Sequence, residues 1–134
     1  MAPLPLALRR PLRPFLVACA ALAAALFAST ALAGEADVVG VKVAKTGEHV
    51  YRFDVTVRHD DTGWDHYADR WDVSTVDGEV LGVRELAHPH EDEQPFTRSL
   101  SGVAIPAEVD QVVVRAHDKV HGFGGKEMTV AVPD

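Results

Sequence analysis

The chain of 134 residues carries 20 acidic and 13 basic side chains, a net charge of −7, and one cysteine. That length suits one domain. The acidic balance excludes a surface built for nucleic acid or anionic lipid and favours cations, and a lone cysteine excludes an internal disulfide framework.

Residues 1–33 read as a secretory signal peptide. Arg9, Arg10 and Arg13 precede an apolar run at 15–27, and Ala31-Leu32-Ala33 supplies the small-x-small cleavage pattern. Gly34 is the expected first mature residue, so 34–134 is the expected domain. The run is short and alanine-rich for a spanning helix. Arg9-Arg10 precedes Pro11-Leu12-Arg13, not the apolar pair of a twin-arginine signal. Leu16-Val17-Ala18-Cys19 resembles a lipoprotein cleavage box, but cleavage there would leave a long Ala/Leu run on the mature protein. Cleavage after Ala33 removes three arginines and no acid, leaving 10 basic against 20 acidic residues, a charge of −10. Cys19 leaves too. The expectation is a periplasmic or secreted domain, free of the membrane once cleaved, held by packing, with a bound ion as a further possible support, not by a disulfide.

The mature part alternates strands and turns. Residues 37–45 place Val39, Val41 and Val43 on one face, and Thr46-Gly47-Glu48 turns the chain. In 50–59, Tyr51, Phe53, Val55 and Val57 alternate with polar residues, as in a half-buried strand. Residues 60–67 form an acidic loop containing Gly63. Residues 70–76 make a third strand with Trp71 and Val73 inward. Asp77-Gly78 is a hairpin signal, and 79–87 returns as the fourth. Pro89 and Pro95 exclude regular structure between them. A fifth strand spans 96–105, irregular at Gly102, and 106–110 turns. The sixth spans 111–118 with Val112, Val114 and Ala116 inward. Residues 121–125 read as a flexible loop, and 126–132 as the seventh strand with Met128, Val130 and Val132 inward. No helix is expected.

Seven short strands at this spacing predict an all-β, seven-stranded antiparallel β-sandwich. Their order and loop lengths resemble the immunoglobulin/fibronectin III-like superfold over 37–133. Trp71 is similar to the buried Trp of immunoglobulin domains, although the disulfide behind that Trp has no cysteines here, and Val109-Asp110-Gln111 occupies the region of the tyrosine corner. Locally, Arg58-His59-Asp60-Asp61, Gly63-Trp64-Asp65-His66-Tyr67-Ala68-Asp69 and the stretch from His88-Pro89-His90 to Arg98-Ser99-Leu100-Ser101-Gly102 resemble a group of small exported bacterial proteins of unknown function. That resemblance implies export and a compact domain, with no mechanism attached.

Connections in such a sandwich alternate between its ends. Loops 60–67, 88–95 and 118–125 therefore share one end, and six of the seven histidines lie at or near it, His49 alone falling at the other. Binding sites in this superfold form from end loops. Imidazoles among carboxylates suit zinc or copper. His88, His90 and His121 are the expected ligands, with His117, His66 and Asp118 behind them. His88 and His90 share a side of an extended backbone stiffened by Pro89, and His117 and His121 share parity if the strand continues between them. A calcium reading would use Asp60, Asp61, Asp65 and Asp69, but no repeat spacing supports it. The alternative is binding of an exported protein partner through Trp64, Tyr67 and Phe123, with the histidines as a pH-responsive rim. No enzyme is expected: Ser99 and Ser101 lack a nucleophile-elbow sequence. The run Val120-His121-Gly122-Phe123-Gly124 is similar to a fragment of the copper/zinc superoxide dismutases, but Lys119 stands where that fragment has a second histidine.

Overall fold

A computed structural model describes Pro3 and residues 34–134. The expected leader, Pro3 apart, lies outside the described residues. The rest forms eight strands: β1 (Asp37–Gly47), β2 (Val50–Arg58), β3 (Ala68–Thr75), β4 (Val80–Glu85), β5 (Phe96–Ala104), β6 (Gln111–Asp118), β7 (Gly122–Phe123) and β8 (Met128–Ala131). All pairings are antiparallel. One sheet has three strands in the order β1-β2-β5. The other has five: β4-β3-β6, with β7 and β8 both on the far side of β6. The sheets pack face to face, β1 lying against β6 and β8, and β4 against β5. The described residues 34–134 form an all-β sandwich of two antiparallel sheets.

The seven expected strands are present, each end within two residues of its expected place. The eighth is a correction. The segment 121–125, expected as a flexible loop, contains β7, which pairs with His117 and Asp118. Further along, β8 pairs with Gln111 to Val114. The two are one edge strand interrupted at 124–127. The interruption has a steric cause. A Cβ on Gly125 would lie 2.1 Å from the Ala36 carbonyl oxygen, so only glycine lets the backbones approach this closely. Val38 N–H donates to the Lys126 carbonyl at 2.8 Å, and Lys126 N–H donates to Asp37 Oδ1 at 2.7 Å. The break in the edge strand thus clamps the start of β1.

The core is built from inward series on opposite sheets. Tyr51, Phe53, Val55 and Val57 of β2 face Trp71 and Val73 of β3 and Val112, Val114 and Ala116 of β6, all buried. Val39 departs from expectation. A register shift between Val38 and Gly40 leaves Val39 over as an extra residue, exposed at 38%, while Val38 turns inward and Val41 and Val43 pack against the core. The expected irregularity at Gly102 is a second shift. Arg52 faces two residues, Ser101 and Gly102, and Gly102 adopts φ 72°.

The bulge makes a specific prediction. Val38→Thr buries a hydroxyl without a partner and should lower the unfolding free energy by about 2 kcal/mol. Val39→Thr should change it by less than about 0.5 kcal/mol. Urea unfolding of the two variants checks this; equal losses would place Val39 in the core.

Candidate metal centre at the histidine pole

Two inward series run past their hydrophobic residues and end at the same pole. On the three-stranded sheet, Phe53, Val55 and Val57 are followed at the same parity by His59. On the five-stranded sheet, Val112, Val114 and Ala116 are followed by Asp118. His59 and Asp118 inherit the burial of these series, at 2% and 0% exposure. The connection after His59 returns His66 between them. The ligand atoms of His59, His66 and Asp118 all lie within 4.8 Å of one another, the one such group of three or more among the described residues.

Each member is held in place. Asp61 Oδ1 accepts from His59 Nδ1 at 2.5 Å and from Ala68 N–H at 3.0 Å, and Asp61 Oδ2 accepts from His90 N–H at 2.7 Å. One carboxylate thereby ties the β2–β3 loop to the start of β3 and to the β4–β5 loop. His59 Nε2 and His66 Nε2 each reach the Gly34 carbonyl oxygen at 3.2 Å. His66 Nε2 also lies 3.4 Å from Asp118 Oδ1. That oxygen caps the following turn, accepting from Val120 N–H at 2.9 Å and His121 N–H at 2.7 Å, with His121 Nδ1 at 3.2 Å. Asp118 Oδ2 is buried and has no partner among the described residues. An unpaired carboxylate oxygen in the interior calls for a cation or donor.

Protonation follows from these contacts. Burial pulls the His59 pKa down, but the Asp61 hydrogen bond, the Gly34 carbonyl and the charges of Asp61 and Asp118 outweigh it, so it ends above its ordinary value. Burial pushes Asp61 up, and the donors His59, His90 and Ala68 hold it below the ordinary carboxylate range. Asp118 follows the same pattern: burial raises it, and the His121 and Val120 amides, then the His121 ring, bring it down. Without a metal, the Asp61 carboxylate and the Gly34 carbonyl, one at each ring nitrogen, favour the protonated form of His59.

The expected ligands are distributed differently. His66 and Asp118 are in the cluster, and His121 borders it, its ring 5.1 Å from that of His66. His88 and His90 pair with each other, ring centroids 4.6 Å apart, away from the cluster. His90 stacks on Phe96 at 4.0 Å, and burial, then the charges of Arg98 and His88, lower its pKa. His88 Nδ1 turns back to the Pro89 carbonyl at 2.9 Å. His117 lies elsewhere. It faces the outside of the five-stranded sheet, bonded through Nδ1 to Asp69 at 2.6 Å. The shared parity with His121 fails because Asp118 caps a turn at 119–121, and Gly122 adopts φ 71°. The aromatics are also divided. Trp64 is exposed, while Tyr67 is buried beneath it, rings 5.7 Å apart. Phe123 lies with His117 on the outer face, under Arg115 at 4.1 Å. The four aspartates of the calcium reading do not converge: Asp61 faces inward, Asp69 serves His117, and Asp60 and Asp65 are exposed. His59 is the functional candidate absent from the expected set. Its continuation of the Phe53-Val55-Val57 parity was the available signal.

The sign of pH dependence is set by these shifts. A raised His59 pKa stabilises the fold fully below the unfolded value of about 6.5, and this is lost as pH rises through the folded value. A lowered Asp61 pKa stabilises above about 3.9, and this is lost as pH falls through the folded value. Asp61→Asn should therefore destabilise most near pH 5, by about 3 kcal/mol, and less at pH 9, measured by denaturant unfolding at both. A loss that grows towards pH 9 would contradict a protonated His59.

No family model matches the chain, and no solved structure matches it. Its sequence is similar to a protein of Halomicrobium mukohataei named "Putative lipoprotein", with 48% identity over 96 residues, 72% of this chain and 47% of that one. The chain thus spans about half the length of this relative.

Proposed function

We propose that the chain is a small exported, non-catalytic binding module that holds a divalent transition ion, zinc or copper, through His59, His66 and Asp118. The carrying observation is the grouping of one ligand atom from each within 4.8 Å, on a carboxylate whose Oδ2 is buried with no partner among the described residues. Two imidazoles and a carboxylate are a donor set suited to zinc. His121 Nδ1, 3.2 Å from Asp118 Oδ1, and the Gly34 carbonyl, 3.2 Å from His66 Nε2, are further donors bordering the group. A metal would have to displace the proton on His59, so binding releases protons and strengthens with pH.

A binding role is favoured over catalysis by access. His59 and Asp118 are buried, whereas the cleft at this end, about 500 Å³, is lined by Trp64 and residues 88–93. The arginine-led apolar leader supports export to the periplasm or medium, and the relative's name, carried over to this chain, supports export too. The split into β1-β2-β5 and β4-β3-β6-β7 supports an immunoglobulin/fibronectin III-like reading of the sandwich.

One observation favours a second reading, capture of an exported protein. Trp64 is 62% exposed and borders the cleft beside Glu91, Asp92 and Glu93. Tyr67 and Phe123 do not share that patch.

Calorimetric titration of the mature chain with Zn²⁺ separates the readings. Binding should be tighter at pH 8 than at pH 6. His66→Ala and Asp118→Asn should each weaken it by at least about tenfold, and His88→Ala by less than about twofold. Binding no tighter than that of free histidine would leave only partner capture, which Trp64→Ala should abolish.

A further inference from the structure

Gly34 is placed at the pole by contacts that follow it in the chain. Residues 36–38 are clamped by the Gly125 approach and by the two hydrogen bonds with Lys126. Gly34 is itself buried, with its carbonyl oxygen 3.2 Å from both His59 Nε2 and His66 Nε2. Bond lengths keep a residue's backbone nitrogen within about 3.6 Å of its own carbonyl oxygen. The Gly34 nitrogen is therefore confined to the neighbourhood of His66, which lies 3.4 Å from the Asp118 carboxylate. That carboxylate keeps one oxygen, Oδ2, buried and without a partner among the described residues. The bond expected to be cut on export is the one immediately before Gly34.

We propose that removal of the leader completes the pole: the ammonium freed at Gly34 turns in beside Asp118 and pairs with its unpartnered oxygen. In the cleavage, a signal peptidase adds water across the Ala33–Gly34 peptide bond. The carboxylate leaves with the leader, and the amine remains on Gly34 and takes up a proton. Before cleavage the same nitrogen is a neutral amide with one hydrogen; afterwards it is a cation with three donors. An ammonium suits a buried carboxylate oxygen far better than an amide. The pairing joins the start of β1 to the end of β6, across the two sheets. It rests on cleavage after Ala33 and describes the metal-free protein, in which the ammonium takes the oxygen that an ion at His59, His66 and Asp118 would otherwise compete for.

Two measurements test it. Intact mass of the exported protein should give Gly34 as the first residue; an N-terminus at Cys19, or an uncut leader, overturns the proposal. Metal-free protein beginning at Gly34 is then compared with the same protein after transamination of that residue to a glyoxylyl group. This change removes the charge without adding bulk. The untreated protein should melt about 5 °C higher. In Asp118→Asn the treated and untreated forms should melt together. Equal melting temperatures in the parent protein, or a difference that survives in Asp118→Asn, overturn the proposal. Should Asp118→Asn fail to fold, the parent pair decides alone. None of these readouts involves a metal, so a failed Zn²⁺ titration leaves the result standing, and the reverse also holds.

Discussion

The pole depends on one buried carboxylate. Asp61 accepts from His59, Ala68 and His90 at once, and so joins three chain segments that the hydrophobic core alone would leave unattached. A buried carboxylate without donors would be expensive to keep ionised; one with three is held in its charged form by them. The same arrangement recurs on the other sheet. Asp118 uses one oxygen to cap the turn leading to β7, so the carboxylate that defines that turn is also the one facing the histidines. Local structure and site are built by the same atoms.

On the proposed reading, a proton and a metal would compete for the same position. His59 has both ring nitrogens near acceptors, Asp61 on one side and the Gly34 carbonyl on the other. That geometry stabilises the imidazolium, and it also aims a nitrogen at the space where an ion would lie. The sandwich also has a packed hydrophobic interior apart from these residues, unlike small zinc domains that are unfolded without their ion. That interior, on β2, β3 and β6, closes before the pole begins.

Much of the sandwich was legible because period-two alternation survives in nearly every strand. Where it failed, a tertiary contact intervened. Val39 broke the pattern of β1 because a bulge, visible only in the pairing with β2, resets the parity. His117 was expected beside His121, but the side-chain cap by Asp118 turns the chain and leaves His117 outside. Gathering the three loops at one end followed from alternating connections alone. Which imidazoles would meet did not, because His88 and His90 are drawn aside by Phe96 and Pro89. His59 was within reach of the same parity rule that found Phe53, Val55 and Val57. The Gly34 carbonyl had no sequence signal at all, since its place is set by a glycine 91 positions later.

The interrupted final strand also bears on how the molecule behaves among its neighbours. A sheet margin with a long, regular row of unpaired amides and carbonyls invites another chain to add itself. Here that margin is split into pieces of two and four residues, with the gap turned inward against β1. A visiting strand would find no continuous register to follow. Such a broken border is a guard against fibre formation that requires no added residues.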